Sequence, residues 1–375
     1  MSYRLFLLMR KEFVQFFRNI PLIFIVLYLI TFDVYSAGSI SMDINNYPIA
    51  IYNLDQTQDS VDIIDKLREP YFKITHVIEE ENQVQQLIES GEVSVVVVFP
   101  QDFSKKLNSY QTAEMQVILD GSISNASQLA MGYIARILQD YNEQLILTAW
   151  KISDITKKMI PYVNFEKRYV YNPNLIDSWN FSLQELFLII TLIGMLLIAA
   201  AMVNEKQFGT IEQLMVTPLR IYEIMLAKIV PMVIILLMGT FIAVFVTLKY
   251  WVGMPITTNV WAFFVVTLLY VFTVAGLGLM ISTISSNLSD TVLFSILILV
   301  PMLFLSGAYV PLEAMPEWMR WIVRVMPLKY YIDLGSGILL KENSLFSMWR
   351  EMGMLLLLGI AAFTIGAIRF RKAYQ

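Results

Sequence analysis

The chain has 375 residues, of which 57% are hydrophobic and 15% are charged, and its mean hydropathy is +0.60. This composition is too apolar for an ordinary water-soluble domain and indicates a protein that is largely embedded in a membrane. The absence of cysteine excludes disulfides, thiolate metal sites and cysteine nucleophiles.

The net charge of −4 is distributed unevenly along the chain. Residues 42–177 hold 19 acidic and 11 basic side chains, a net charge of −8, so the rest of the chain carries +4. We therefore expect one soluble-like segment within a chain that otherwise lies in lipid.

Residues 1–19 form a basic and aromatic lead that is typical of a helix lying at a membrane interface. Its cations are Arg4, Arg10, Lys11 and Arg18. The apolar run that follows, residues 20–41, is long enough to span a hydrocarbon core of roughly 30 Å. A cleaved secretory signal with small residues at 36–38 is the alternative, but the length of the run favours an uncleaved first transmembrane helix.

Residues 42–177 alternate between two kinds of pattern. Strand composition marks 47–53, 93–99 and 115–120, whereas the intervening segments have polar faces and helical spacing. A longer helical pattern, from 127 to about 158, leads back toward the membrane. The sequence therefore predicts an α/β domain with a helical return, inserted between the first and second spans.

Five further apolar runs within residues 178–375 are long enough to span a bilayer. They are 183–203, 224–248, 260–284, 291–310 and 352–368. The predicted fold is thus an α-helical polytopic membrane protein with six transmembrane helices and an inserted extracytoplasmic α/β domain. Six spans place both basic termini on one side, which the positive-inside rule assigns to the cytoplasm of the cell (inner) membrane. The basic loop at 311–350 would then lie outside, against that rule.

The stretch NEKQFGTIEQLMVTP, residues 204–218, is a charged fragment between two apolar runs. Thr210 and Gln213 have capping-box spacing, Gly209 permits a turn before them, and Pro218 ends the element. The pattern predicts a helix of about two turns, which is marginal in water and needs a surface to pack on. Docking of a partner protein is one interpretation, and an ordinary cytoplasmic loop is the other.

This stretch, followed by EIMLAKIVP, resembles the permease subunits of type 2 ABC exporters. The order of elements is similar too, and MPLKYYIDLGSGILLKE resembles the family's outer segment before the last span. In that family the fragment is a coupling helix that sits in a groove of the ATPase subunit. By that resemblance the coupling residues are Glu205, Gly209, Thr210, Glu212, Gln213 and Leu214.

The resemblance also implies partners. Two permease subunits, identical or paralogous, would form the pathway, and a separate ATPase would bind ATP and Mg²⁺. No G-x-x-x-x-G-K-[ST] motif occurs in this chain, so we expect no cofactor in it. Membrane lipid and, in a cell with two membranes, a periplasmic adaptor are further expected partners; nucleic acid is not.

Two other features are candidates for a role in transport. Asp33 lies deep in the first predicted span, where an acid is costly unless it faces the pathway or the outer interface. Residues 311–340 are too short and charged to span, and their tryptophans and arginines predict helices dipping into the outer leaflet or a surface-loop helix. The candidate contacts there are Trp318, Arg320, Trp321 and Arg324.

Enzymatic activity has little support, and we predict no catalytic residue. His76 is the single histidine and lies near a run of glutamates that is typical of a solvated face, so no metal site is predicted. The alternative to a permease is a membrane-anchored receptor or assembly factor whose extracytoplasmic domain binds a ligand.

Overall fold

The structure is a computed structural model, and it describes most of the chain. The described residues are 3–39, 44–68, 70–109, 111–121, 124–149, 171–172, 176–209, 220–256, 259–307, 312 and 315–373. The chain divides into two compact units. A helical unit comprises Met1–Ile40 and Arg168–Gln375, and a sheet unit comprises Ser41–Lys167.

The first two helices of the helical unit meet at Asn19. Helix α1 is Tyr3–Arg18, and helix α2 is Ile20–Gly38. The Asn19 side chain accepts a hydrogen bond from Leu22 N at 3.3 Å, so α2 begins with a side-chain cap. A wider π-helical turn, Leu29–Asp33, interrupts α2. π-Helical turns are rare in proteins, and those that occur often lie at functional sites.

The sheet unit is built on four strands in the order β2-β1-β3-β4. They are β1 (Tyr47–Asn53), β2 (Phe72–Val77), β3 (Val95–Phe99) and β4 (Gln116–Leu119), connected by α3 (Gln58–Lys66), α4 (Asn82–Glu89) and α5 (Phe103–Asn108), and followed by α6 (Ser124–Ala149). Strands β2, β1 and β3 are parallel, and β4 is antiparallel to β3. The sequence analysis missed β2, although its first four residues alternate between apolar and polar, which is a strand pattern.

The rest of the helical unit consists of seven helices among the described residues. They are α7 (Asp177–Gln207), α8 (Ile221–Trp251), α9 (Val260–Ile284), α10 (Leu288–Phe304), α11 (Glu317–Val323), α12 (Pro327–Leu339) and α13 (Trp349–Ala373). Helix α7 is central, since it packs against α2, α8, α9 and α10. Its apolar residues are buried on most sides, which is expected for a helix surrounded by other helices.

Five helical segments of the described chain are long and apolar enough to cross a membrane. They are Ile20–Gly38, Asp177–Gln207, Ile221–Trp251, Val260–Ile284 and Leu345–Lys372. The prediction of a multi-pass helical membrane protein is thus confirmed. The fifth of the six predicted spans, 291–310, corresponds to helix α10, which has 17 residues and is a shorter apolar helix than the other five. Residues 308–310 are not among the described residues. The count of six spans stays a prediction.

Glycines let α9 and α13 approach closely. A Cβ atom on Gly276 would lie 2.4 Å from the backbone of Ala362 and Phe363, and one on Gly366 would lie 2.5 Å from Gly276 O. Backbone contact of this kind is a common way for membrane helices to associate by van der Waals packing. The small residues of 275–280 therefore have a packing role.

Helix α12 lies within the helical core. The ring of Tyr331 stacks on that of Tyr270 with centroids 4.0 Å apart, and its hydroxyl lies 3.0 Å from Thr267 Oγ1. The Tyr270 hydroxyl is in turn 2.7 Å from Thr191 Oγ1 on α7. Because buried hydroxyls need partners, these pairs fix α12 against α7 and α9. This helix is therefore not a surface-loop helix.

Candidate functional site

The structure describes the residues on both sides of the middle of the predicted coupling segment. Helix α7 runs through Gln207, so the beginning of the stretch 204–218 belongs to a long helix rather than to a loop. Gly209 has a φ of +66°, a left-handed conformation that favours glycine, which confirms the turn expected there. The chain is described again from Arg220, whose N–H donates to Glu223 Oε2 at 2.9 Å at the start of α8. Thr210, Glu212, Gln213 and Leu214 lie outside the described residues.

Glu205, near the start of this segment, lies in a buried cluster of charges. Its Oε1 accepts hydrogen bonds from Lys11 Nζ and from Lys228 Nζ, both at 3.0 Å. Lys228 Nζ also donates to Glu12 Oε1 at 2.8 Å. We call these four residues the ion cluster. It joins α1, α7 and α8, and two of its residues, Glu12 and Lys228, are 216 positions apart in the sequence.

Burial makes the ion cluster energetically important. The side chains of Glu12, Lys228 and Glu205 are only 5%, 6% and 8% exposed, whereas that of Lys11 is 51% exposed. Removing one partner from a buried ion pair costs about 3–5 kcal/mol, because the other charge is left without compensation. The cluster therefore fixes the end of α7 relative to α1 and α8.

Sequence reasoning missed two members of the ion cluster. Lys228, which is buried in α8, was not among the predicted site residues. Glu12 received no role. For Lys228 a signal was available, because it is a single charge within an apolar helical run and such charges need a partner. Glu12 follows Arg10 and Lys11 in a charged stretch and gave no such signal. The partners that Glu12 and Lys228 contact depend on how helices α1, α7 and α8 pack together.

A second contact holds the same end of α7. Lys206 Nζ donates to Ser285 O at 2.9 Å, at the end of α9. Directly after it, Asn287 Oδ1 accepts from Asp290 N and Asp290 Oδ2 accepts from Ser286 N, both at 2.9 Å. These bonds cap α10. Asp290 is thus a capping residue at a helix end.

A cavity of about 380 Å³ lies beside the ion cluster, among α1, α2, α7, α8 and α10. Its walls are mainly apolar and include Phe16, Leu22, Leu196 and Val292. Polar side chains at it include Glu12, Gln15, Asn19 and Asn204. A mostly apolar cavity with few polar groups suits an amphipathic or hydrophobic ligand.

Asp33 ends the π-helical turn of α2 and is partly buried. Its like-charged neighbour on α7 is Glu185, which sequence reasoning did not single out, and two charged carboxylates repel each other. The two helices are in contact nearby, since a Cβ on Gly38 would overlap Ser182 Oγ. The fold thus places two acids on facing helices, which a reading of either helix alone does not show.

The candidate outer-leaflet residues lie on and beside α11. Trp318 and Trp321 are 62% and 67% exposed. The Arg324 guanidinium lies 4.2 Å from the centre of the Trp321 ring, and Arg320 Nε donates to Met315 O at 2.9 Å. Arg324 is therefore stacked on the ring of Trp321, so this arginine and this tryptophan lie on the same side.

Comparison with known proteins identifies the family. Residues 13–368 match the family model described as ABC-2 family transporter protein. The chain is 29% identical to the probable multidrug ABC transporter permease YbhR of Escherichia coli, over 99% of both chains. It is 27% identical to the inner membrane transport permease YhhJ of Escherichia coli, over 96% of this chain and 95% of that one. The chain therefore belongs to the ABC-2 transporter family, and it is a transmembrane permease subunit of an ABC transporter.

Proposed function

We propose that this chain is the permease subunit of an ATP-driven exporter in the cell (inner) membrane, and that residues 204–218 couple it to a separate ATPase subunit. The observation that carries the proposal is the ion cluster at the start of this segment, in a chain whose family match spans residues 13–368. A helix that pushes or pulls on the transmembrane helices needs a firm attachment. Glu205 and Lys228 provide that attachment on either side of the segment.

In this mechanism four residues of the segment have a mechanical role. Thr210 and Gln213 hold the first helical turn, Glu212 offers a charge to the ATPase, and Leu214 offers an apolar contact. Glu205 is buried and holds the segment's base instead of touching the partner. ATP and Mg²⁺ bind to the partner chain. Two permease subunits, identical or paralogous, form the pathway between them.

The double variant Glu212→Ala and Leu214→Ala tests the coupling role. We expect it to be inserted normally but to lose co-purification with the ATPase and substrate-stimulated ATP hydrolysis. The matched control is Glu79→Ala with Leu129→Ala, an exposed glutamate and a partly exposed leucine of the sheet unit. If the first pair retains the ATPase as well as the control does, the segment is an ordinary loop.

The same experiment distinguishes the alternative function. A membrane-anchored receptor or assembly factor would bind its ligand through the sheet unit and needs no ATPase. Purification of the wild-type chain under mild conditions without any associated ATPase activity would favour that alternative. The family match makes the permease the better-supported function.

We further propose that the apolar cavity binds the exported compound, an amphipathic molecule of drug size. The cavity's lining supports this, as does the word multidrug in the name of the relative YbhR. Ala200→Phe would fill part of the cavity, because Ala200 lines it. We expect lost export of amphipathic dyes with the ATPase still bound. Ala361→Phe, on an exposed face of α13, is the control and should export normally.

The proposed pathway also includes Asp33, whose facing partner is Glu185. Asp33→Asn keeps the shape of the side chain and removes its charge, so it should change export of cationic dyes while leaving expression unaffected. Glu185→Gln should act in the same direction. Unchanged transport in both variants would make the pair boundary residues at the outer interface.

The proposed topology places both termini in the cytoplasm and the sheet unit outside. Because the chain has no cysteine, single cysteines report accessibility without background. Gln86→Cys in the sheet unit and Gln207→Cys at the end of α7 are both at exposed positions. An impermeant thiol reagent that reaches the inner membrane should label the first and spare the second in intact cells. The reverse pattern would invert the topology.

A sheet unit outside the membrane also offers a surface for a periplasmic adaptor.

A further inference from the structure

Helix α1 carries a groove of about 810 Å³ on its exposed side. Its lining includes Leu7, Arg10, Lys11, Val14, Arg18 and Pro21. The three cations fall within three helical turns and share one side, since residues seven or eight positions apart lie close to one line along a helix. The groove therefore combines concentrated positive charge with apolar surface.

Two of these cations are not neutralised by the protein. Arg10 and Arg18 are exposed, and within the described part of the chain no carboxylate forms an ion pair with either. Lys11, in contrast, donates to Glu205. The charge of the groove thus calls for an anionic ligand from outside the chain. Two guanidinium groups suit a phosphate, because their planar donors match its oxygens.

The apolar part of the groove indicates that the anion is attached to a hydrocarbon. Leu7 and Val14 are exposed in the groove, and Phe6 and Phe17 are exposed on the same helix. The membrane-spanning helix α2 starts at Ile20, two residues after Arg18. Its first exposed apolar side chains, Ile20 and Phe24, mark the beginning of the lipid-facing surface. The cations are thus at the level of lipid headgroups.

We propose that this groove binds an anionic phospholipid, with the phosphate between Arg10 and Arg18 and an acyl chain along Leu7, Val14 and Pro21. The lipid also reaches the ion cluster, because Lys11 belongs to both. A phosphate beside Lys11 competes with Glu205 for its ammonium group. Lipid occupancy therefore loosens one of the two hydrogen bonds to Glu205, while Lys228 keeps the other.

The binding is tested on the purified full chain in a non-ionic detergent. Phosphatidylglycerol and phosphatidylcholine are titrated in parallel, and bound lipid is counted by native mass spectrometry. The variant is Arg10→Gln with Arg18→Gln. The matched control is Arg369→Gln with Arg371→Gln, which removes two exposed arginines from the end of α13. We expect the groove variant to bind phosphatidylglycerol roughly 30-fold more weakly, because each basic residue near a lipid surface contributes about fivefold.

The expected pattern has three parts. The wild type and the control prefer phosphatidylglycerol, the groove variant loses that preference, and binding of phosphatidylcholine is the same in all three. Equal phosphatidylglycerol binding by the groove variant and the control would overturn the proposal. So would complete displacement by inorganic phosphate, because the site would then recognise the free anion and not a lipid.

The regulatory step rests on the proposed coupling function and has its own measurement. ATP hydrolysis by the permease with its co-purified ATPase is compared in vesicles of phosphatidylcholine and of equal parts phosphatidylcholine and phosphatidylglycerol. Hydrolysis should respond to phosphatidylglycerol in the wild type and not in the groove variant. If the groove variant binds the lipid normally but loses the ATPase, the groove is a protein contact and the lipid proposal is wrong. Lipid binding itself needs no ATPase, so it can fail or succeed independently of the coupling function.

Discussion

The sheet unit and the helical unit place their charges in opposite ways. In the sheet unit the described ion pairs of lysine or arginine with aspartate are local and exposed, such as Asp102 with Lys106 at 2.7 Å and four positions apart. In the helical unit, Lys228 pairs with Glu12 in the interior and across 216 positions. Exposed local pairs add little to stability, whereas buried distant pairs are costly to break and hold one arrangement of helices.

The two units differ in the same way in their apolar residues. Strand β3 buries its valines, because both faces of the sheet are covered. Helix α10 instead exposes Leu293 and Leu297, which are 66% and 67% accessible. A helix that faces lipid has no reason to hide leucine. In the helical unit, polar contacts therefore do much to determine which helices pack together. The sheet unit is instead held together by its apolar core.

Breaking the ion cluster should have the largest effect. Lys228→Met leaves Glu12 and Glu205 buried with one partner fewer, and we expect a loss of about 3–5 kcal/mol in the free energy of unfolding. Thermal unfolding in detergent measures it. Adding Glu12→Gln and Glu205→Gln to this variant should restore part of the loss, because the uncompensated charges are removed. The control is Lys11→Met, a half-exposed partner of the same Glu205 oxygen, which should cost far less. Equal losses in both lysine variants would refute the burial argument.

The crossing of α9 and α13 should be the next most sensitive place. Gly276→Ala puts a Cβ 2.4 Å from the Ala362 backbone, which cannot rotate away, so we expect a cost of about 1–3 kcal/mol. Gly353→Ala on α13 meets no atom within 4 Å and should be neutral or slightly stabilising. Thermal unfolding of the two variants in one detergent makes the comparison. Equal stability would show that the two helices are free to separate.

In the sheet unit, replacing Asp55 should lower stability more than breaking an exposed ion pair. Asp55 Oδ1 accepts from Ser104 N at 3.1 Å and Oδ2 from Ser104 Oγ at 2.7 Å. Asp55→Ala should cost about 1–2 kcal/mol, since these donors lose their acceptor. Hydrogen–deuterium exchange of β1 and α5 in the full chain measures it. Asp102→Ala, which removes only an exposed pair, should change exchange little.

The same carboxylate predicts a dependence on pH. Partial burial opposes the charged form, but the hydrogen bonds from Ser104 and Thr57 prevail and lower the pKa of Asp55 below its ordinary value of 3.8. A lowered pKa stabilises the fold above the unfolded pKa and loses that contribution as the pH falls through the folded one. Exchange protection of β1 should therefore decrease below about pH 4 in the wild type. Asp55→Ala should lack this step.

The smallest effect is expected on α11. Arg324→Gln removes a cation that is stacked on the exposed ring of Trp321, an interaction worth about 0.5–1 kcal/mol at such sites. The shift in the unfolding midpoint should lie near the limit of detection. Arg320→Gln removes the hydrogen bond to Met315 O and should cost about 1 kcal/mol or more. A large loss for Arg324→Gln would show that the tryptophan is held by more than this contact.

The sequence alone determined the features that depend on local chemistry. Long apolar runs predicted membrane helices, because the length of a span is set by the bilayer and not by neighbouring residues. Strand β1 was predicted with the bounds observed, Tyr47–Asn53, because its composition is typical of a buried strand. Gly209 was predicted to turn the chain, since a positive φ favours glycine.

Only the tertiary structure decided which polar groups meet. Glu12, Glu205 and Lys228 belong to three different helices, and no spacing along the chain connects them. The hydrogen bond between Tyr331 and Thr267 likewise follows from helices that pack side by side, as does the proximity of the like-charged Asp33 and Glu185. The physical reason is that a buried charge or hydroxyl fixes the need for a partner, whereas helix packing decides which partner is within reach.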